Sequence, residues 1–272
     1  MPVFATNGAK IHYEIRGRGP QTVIFSPPLL WNTRVFDSQA RALEDDYRCI
    51  VYDHRGQGQS EGPDERAHQI ESCYQDALAL IEHLCETPCH FVGLSMGGFI
   101  GVRVAARHPE LVRSLCMLAT ATSREPREHL PRYRLLTNVA RFIGMGAVAP
   151  RVMKIMFSDN FLLDATRVED RARWISELRG NRRSIYRAVN GVIERESCAD
   201  ELGNVRCPVL VVHGTEDRAI SRERALASYE AISEARFVSV EGAGHILTVE
   251  RPQLVGDLLS KFLRGVDASA VE

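Results

Sequence analysis

Short apolar runs bounded by turn residues recur along the chain and predict buried β-strands. The first two segments, Val3–Thr6 and Ala9–Ile15, alternate in polarity and are separated by Asn7-Gly8, a dipeptide typical of tight hairpins. We therefore expect an antiparallel hairpin at the edge of the sheet. The later runs predict strands over Thr22–Ser26, Arg48–Asp53, His90–Leu94, Ser114–Ala119, Pro208–Gly214 and Ala235–Val240.

Helical periodicity fills the intervals between these strands. Apolar residues three and four positions apart form one face of the second interval, at Ile70, Tyr74, Ala77, Leu78, Ile81 and Leu84. The predicted helices are Gln69–Leu84, Gly98–Arg107, Arg222–Ala231 and Pro252–Leu263. Because strands and helices alternate, the sequence predicts an α/β fold with a mostly parallel sheet wrapped by helices.

The alternation is interrupted between residues 123 and 203. This segment has helical tendency, lacks a convincing strand pattern and contains fourteen arginines. We therefore predict a core domain of residues 1–122 and 204–272 and a helical lid insertion of residues 123–203. Most of the arginines are expected on solvated helix faces, with the additional hypothesis that a few meet a substrate carboxylate.

Charge and composition favour a small-molecule partner. The formal net charge of the 272 residues is −1, which provides no field to gather nucleic acid or an anionic membrane. No run of eighteen apolar residues and no secretory leader pattern occurs, so we expect a cytoplasmic protein without a membrane span. Self-association into a homo-oligomer stays open.

The seven cysteines are odd in number and lie mostly in apolar patterns, which favours reduced, buried thiols. Cys85 and Cys89 have C-x3-C spacing, but no second pair of cysteines or histidines completes a tetrahedral zinc site. We expect neither a metal nor a cofactor.

The stretch His90–Phe99 places Ser95 between Gly93 and Gly97, at the end of a predicted strand and the start of a predicted helix. Gly-x-Ser-x-Gly in this context is the pattern of a nucleophile elbow, in which a strained turn exposes the serine and the glycines let strand and helix approach closely. Backbone N–H groups at the helix start face any negative charge formed beside the serine, so the N–H of Met96 is a candidate oxyanion donor.

A serine nucleophile needs a histidine base and a carboxylate that orients it. On loops after the last two predicted strands, Asp217 and His245 stand in the chain order expected for this elbow. Glu125 is the reserve acid, because its loop opens on the same sheet edge, and Glu216 is a weaker alternative. The other histidines lack a catalytic context.

A second oxyanion donor should come from the loop after Thr22–Ser26. Pro27 and Pro28 have no N–H to donate, which makes Leu29 the first available donor. The residues expected to line an apolar acyl or alcohol pocket are Trp31, Phe99, Phe142, Met145, Met153, Met156 and Phe157.

These motifs together resemble the α/β-hydrolase superfamily over nearly the whole chain. Residues 53–60 resemble its D-x-R-G-x-G-x-S loop, and the segments around Ser95, Asp217 and His245 resemble its elbow, acid and base loops. The elbow, the following helix and the lid look most similar to the carboxylesterase and enol-lactonase branch. One departure is Pro27-Pro28, which replaces the family's usual His-Gly before the oxyanion donor.

The resemblance implies a cofactor-independent serine hydrolase of small carboxylic esters or lactones. A C–C bond hydrolase of ring-cleavage diketones, a perhydrolase or an acyltransferase would use the same triad, and a non-enzymatic ligand receptor is a further alternative. Serine at position 95 argues against dehalogenases and epoxide hydrolases, which use an aspartate nucleophile. Gly56–Gly62 fails as a dinucleotide turn because Glu61 stands where the third glycine is required.

Overall fold

An eight-stranded mixed sheet forms the centre of the computed structural model, which describes residues 2–64, 68–85 and 87–269. The strands are β1 (Val3–Thr6), β2 (Ala9–Arg16), β3 (Gln21–Ser26), β4 (Tyr47–Tyr52), β5 (Cys89–Leu94), β6 (Val112–Leu118), β7 (Val209–Gly214) and β8 (Ala235–Val240). Their order across the sheet is β1-β2-β4-β3-β5-β6-β7-β8.

The predicted N-terminal hairpin is confirmed: β1 and β2 pair antiparallel around Asn7 and Gly8, both of which have positive φ. β2 also pairs antiparallel with β4, whereas every later pairing is parallel. The predicted fold class is therefore correct. Because parallel strands end at the same edge, the loops after β5, β7 and β8 open together on one side of the sheet.

Helices cover both faces of the sheet. They are α1 (Asp37–Leu43), α2 (Ile70–Leu84), α3 (Met96–Arg107), α4 (Leu130–Phe142), α5 (Met145–Met156), α6 (Asp159–Leu163), α7 (Val168–Arg179), α8 (Tyr186–Ile193), α9 (Arg222–Glu230), α10 (Leu247–Glu250) and α11 (Pro252–Ser269). α2 and α3 pack on one face, in a core with Ile24, Phe91 and Leu115. α1 and α11 pack against each other over the other face, in a core with Val23, Phe25 and Val92.

The sequence pattern did not predict helix α1. It has seven residues, and Gln39, Ala40 and Leu43 are those it buries. A segment this short holds fewer than two full apolar repeats, so helical periodicity cannot identify it. The side chain of Gln39 compensates for its burial by donating to the carbonyls of Thr248 and Pro252.

Between β6 and β7 the chain forms the five helices α4 to α8. α5 packs against α4 and α7, and α4 packs against α8. The apolar face of α5, which includes Val148, Val152 and Met156, joins the same core as the sheet residues Val92 and Leu118. These helices therefore sit on the core by hydrophobic contact, at the sheet edge where β5 and β6 end.

Candidate active site

Ser95 stands on a sharp turn between β5 and α3. Its φ of 53° lies in the left-handed region, which residues with a side chain adopt only at an energetic cost. Two bonds hold this conformation: the Ser95 N–H donates to the Leu118 carbonyl at 2.8 Å, and Thr120 Oγ1 donates to the Ser95 carbonyl at 2.8 Å. The turn is thus fixed by the neighbouring strand β6 and the loop that follows it.

Two glycines make the tight turn sterically feasible. A Cβ added to Gly97 would lie 1.9 Å from the Ser26 carbonyl oxygen, and one added to Gly93 would lie 2.4 Å from the Gly97 carbonyl. Neither backbone oxygen can move without shifting a central strand or the helix. The glycine positions of the sequence motif therefore have a direct structural reason.

His245 and Asp217 are hydrogen-bonded to each other. His245 Nδ1 lies 2.9 Å from Asp217 Oδ2, and both side chains are almost completely buried. The other carboxylate oxygen of Asp217 accepts from the backbone N–H groups of Ala219, at 2.8 Å, and Ile220, at 3.0 Å. Asp217 is therefore fixed by its own loop and orients the imidazole.

The loops after β3, β5 and β8 meet at a mostly apolar cavity of about 120 Å³. Ser95 and His245 both line it, together with Leu29 from the loop after β3. Its remaining wall is largely aliphatic, with residues of α4, α5 and α8 closing it from above the sheet edge. Three of the predicted pocket residues lie in this wall: Phe99, Met145 and Met156.

A family model described as serine aminopeptidase, S33, matches residues 21–252, most of the chain and all of the elements that form this cavity. The chain belongs to this family of α/β-hydrolases.

Known relatives of the hydrolase include enol-lactonases. The crystal structure of the enol-lactonase from Burkholderia xenovorans LB400 has a TM-score of 0.89 at 28% identity, covering 97% of this chain and 100% of that one. The 3-oxoadipate enol-lactonase 2 of Acinetobacter baylyi is 25% identical over 260 residues, 93% of this chain and 95% of the relative. An Agrobacterium fabrum protein whose name proposes carbamate hydrolysis is 24% identical over 264 residues, 94% of this chain and 99% of the relative.

The other predicted pocket residues of the hydrolase lie elsewhere. Phe142 is 67% exposed at the end of α4, whereas Trp31, Met153 and Phe157 are buried in the core and are not among the residues that line the cavity. The indole ring of Trp31 packs edge-on against Phe157, with ring centroids 5.9 Å apart. The aromatic nature of a residue therefore does not by itself indicate whether the residue lines the cavity or belongs to the hydrophobic core.

Glu125, the reserve acid of the sequence analysis, is paired with Arg195. Its Oε2 lies 3.0 Å from Arg195 Nη2, and both side chains are buried in the cavity wall. The guanidinium also stacks over the Phe99 ring at 4.2 Å and donates to the Val192 carbonyl at 2.8 Å. Burial lowers the pKa of Arg195 to about 10, so the group keeps its charge at neutral pH.

Glu216, the weaker alternative acid, is hydrogen-bonded to two residues of α6. Its carboxylate accepts from Asn160 Nδ2 at 2.7 Å and from the Asp159 backbone N–H at 3.2 Å, both in exposed surroundings. Glu216 therefore links the loop after β7 to α6. Of the three acids considered, Asp217 is the one bonded to His245.

The loop that carries His245 is held by a buried carboxylate that the sequence analysis did not single out. Glu250 accepts from Ser158 Oγ at 2.5 Å, and its Oε1 would lie 2.7 Å from a Cβ added to Gly244. The Ile246 N–H donates to the Met156 carbonyl at 3.1 Å. The first contact joins α10 to the residues that follow α5, and the second joins the loop that carries His245 to the end of α5. No short sequence motif marks such long-range pairings.

Within residues 2–64, 68–85 and 87–269, no group of three or more His, Cys, Asp or Glu side chains is arranged to hold a metal ion. Nor does any helix in that part of the chain combine the length and apolarity that crossing a bilayer requires. All seven cysteines are free thiols, and six of them are buried.

Proposed function

We propose that this hydrolase cleaves carboxylic esters or lactones of small molecules through an acyl-enzyme formed on Ser95. One observation carries the proposal: a serine in a strained elbow lines the same apolar cavity as a histidine that is bonded to a buried carboxylate. This is the combination that converts a weakly nucleophilic hydroxyl into a reactive one.

In the first step His245 acts as the general base. Its Nδ1–H donates to Asp217, so the other ring nitrogen, Nε2, is the one left to accept the Ser95 proton. The Ser95 oxygen attacks the carbonyl carbon, and the carbonyl π electrons move onto the oxygen. Asp217 holds the required tautomer and stabilises the imidazolium that forms.

The resulting oxyanion is the charge that the backbone has to stabilise. Met96 N–H is the first amide of α3, and Leu29, which carries the second candidate N–H, lines the cavity from the loop after β3. We assign these two groups as the oxyanion donors. Each donor of this kind typically contributes about 3 kcal/mol to transition-state stabilisation.

Collapse of the intermediate breaks the bond to the leaving oxygen, which takes the proton from His245. Water then attacks the acyl-enzyme: His245 accepts a proton from the water and returns it to Ser95, and the acid is released. A lactone follows the same course, except that its alcohol stays attached to the acyl group until the second step.

The cavity and the relatives support the proposed substrate class. An aliphatic wall suits an uncharged acyl or alcohol group, and an enol-lactonase structure covers 97% of the chain. We further propose that residues 123–203 act as a lid, because α4, α5 and α8 supply most of the aliphatic side of the cavity.

The decisive experiment is labelling by an alkyl fluorophosphonate combined with a substrate screen. The wild-type protein is expected to label within minutes and to hydrolyse short p-nitrophenyl esters or simple lactones. Ser95→Ala should abolish labelling and lower kcat by several powers of ten while the fold is retained. Ser123→Ala, a serine on the loop after β6, is the matched control and should label normally.

The same screen includes a vinylogous diketone, a carbamate and hydrogen peroxide as acyl acceptor. Preferential cleavage of the diketone would favour a C–C bond hydrolase, and preferential transfer to peroxide or an alcohol would favour a perhydrolase or acyltransferase. Slow labelling without turnover of any substrate would favour a ligand receptor. Esterase activity retained in Ser95→Ala would overturn the proposal.

A further inference from the structure

The loop that carries Leu29 has two prolines directly before the proposed oxyanion donor. Pro27 and Pro28 contribute carbonyls but no N–H groups, so the loop cannot be tied down through amides at these positions. An oxyanion donor is effective only when it is held in place before the reaction. Something outside the loop therefore has to fix it.

The turn after β4 provides three contacts to this loop. His54 Nε2 lies 2.8 Å from the Pro27 carbonyl, Gln57 Oε1 accepts the Leu30 N–H at 2.8 Å, and Asp53 Oδ1 accepts the Thr33 N–H at 2.8 Å.

The first two contacts flank the peptide group that carries the proposed donor. Leu29 N–H belongs to the peptide between residues 28 and 29, the Pro27 carbonyl belongs to the peptide before it, and the Leu30 N–H belongs to the peptide after it. Leu30 has a φ of 77°, an unfavourable conformation for a leucine that the bond to Gln57 stabilises. The orientation of the Leu29 N–H is thus determined from both sides.

Gln57 also reaches the other proposed donor residue. Its Nε2 lies 3.6 Å from Met96 Sδ, and the side chain is 1% exposed. One buried amide group therefore contacts the residues on both sides of the oxyanion site. The glycines that flank Gln57 have positive φ, which the tight turn requires.

We infer that Gln57, assisted by His54, is the positioning residue of the oxyanion hole in this chain, where it supplies the anchoring that Pro27-Pro28 cannot. The inference rests on the proposed function, since it presupposes that Leu29 N–H stabilises an oxyanion. Gln57 itself does not touch the reacting atoms in this assignment.

The test compares Gln57→Met, which keeps the side-chain length but removes the acceptor, with the wild type. The matched control is Gln59→Leu in the same turn, whose side chain bonds to His12 on the outer side. For a p-nitrophenyl ester, Gln57→Met should lower kcat about 10- to 100-fold. Its KM should stay within about threefold, because ground-state binding is untouched.

A trifluoromethyl ketone of the same acyl length separates positioning from general structural damage. Its hemiketal carries the oxyanion, so its Ki should rise by the factor by which kcat/KM falls. Gln59→Leu should match the wild type in both values. Equal kcat and Ki in Gln57→Met and the wild type would overturn the inference.

His54→Asn removes a second, independent contact to the same loop. This variant tests the inference if Gln57→Met does not fold. It should show the same pairing of lower kcat with weaker inhibition, and unchanged values would refute the inference. Ser95→Ala keeps the two proposals apart. If that variant is inactive while the Gln57 and His54 variants behave like the wild type, the positioning role alone fails.

Discussion

His245 Nδ1 lies 2.9 Å from Oδ2 of Asp217, although the two residues are 28 positions apart in the chain. Helix α9 and strand β8 fill the interval, so a full strand–helix–strand unit returns the histidine to the edge where the aspartate stands. The other Asp217 oxygen is satisfied by backbone N–H groups, which leaves Oδ2 to the imidazole. His245 is thus the side chain that hydrogen-bonds to Asp217 Oδ2, and His213 Nδ1 lies farther from the same oxygen, at 3.9 Å.

Asp217→Asn should lower kcat by about 10³- to 10⁴-fold, because an amide can donate to Nδ1 and thereby favour the wrong tautomer. The neighbouring Glu216→Gln serves as the control, since it changes an acid of the same loop that bonds to Asn160 instead of His245. Steady-state kinetics on one p-nitrophenyl ester is sufficient. Similar losses in the two variants would argue against Asp217 as the orienting acid.

Gly97→Ala should destabilise the fold by about 3 kcal/mol or more, because its methyl group would overlap a backbone oxygen that cannot retreat. Gly146→Ala is the matched control: this glycine lies in α5 with nothing within 4 Å of an added Cβ. Alanine's higher helix propensity should raise the free energy of unfolding there by about 0.5 kcal/mol. Urea unfolding measures both, and a neutral Gly97→Ala would show that the elbow tolerates a side chain.

The stability of the wild-type protein should fall on acidification through His54. Burial lowers the pKa of this histidine to about 4, whereas the unfolded chain keeps a value near 6.5. Below pH 6.5 the unfolded state therefore binds more protons than the native state, and stability declines as the pH falls to about 4, below which His54 is protonated in both states.

For His54→Asn this contribution disappears. The difference in unfolding free energy between the wild type and the variant should shrink by about 3 kcal/mol from pH 7.5 to pH 4. Urea unfolding at five pH values checks the trend. A difference that is constant with pH would mean that His54 is already charged or already solvated in the native protein.

Local motifs made most of the fold predictable and indicated the residues of the proposed catalytic centre. The elbow at Ser95 depends on residues adjacent in sequence, and the proposed acid and base, Asp217 and His245, follow the order that the strand–helix alternation imposes. Long-range side-chain pairs were not predictable in this way. Arg195 and Gln57 acquire their neighbours only when separate loops meet at the sheet edge, and the exposed position of Phe142 depends on how α4 packs.

Removing the carboxylate from the buried Glu125–Arg195 pair should destabilise the fold. Glu125→Gln leaves a buried guanidinium without its carboxylate, and such a loss typically costs about 3 kcal/mol or more. Arg224, whose Nη1 lies 3.8 Å from the same carboxylate, would then repel Arg195 with less compensation. Glu216→Gln, at a more exposed pair, should cost less than about 1 kcal/mol. Comparable values for the two variants would contradict this expectation.

The same pair leads us to expect that the enzyme prefers substrates without a distal charge. Arg195 is the one arginine among the residues that line the cavity within the described chain, and its charge already faces Glu125. Its Nε and Nη2 atoms have almost no exposed surface, which leaves them out of reach of an entering carboxylate. A substrate carboxylate would therefore lose its hydration against an aliphatic wall without a compensating partner. The hypothesis that lid arginines meet such a group predicts the opposite.

Two p-nitrophenyl esters distinguish these expectations: the monoester of adipic acid and its analogue in which an isopropyl group replaces the distal carboxylate. The wild type should favour the isopropyl compound in kcat/KM by at least about 100-fold, because an ionised group is costly to bury unpaired. In Glu125→Gln the preference should fall at least about tenfold, because the charge of Arg195 is no longer offset by Glu125 and attracts the carboxylate at a distance, without a hydrogen bond. Equal kcat/KM for both esters in the wild type would contradict the neutral-cavity explanation and the arginine hypothesis alike, whereas a preference for the monoester of adipic acid would support the arginine hypothesis.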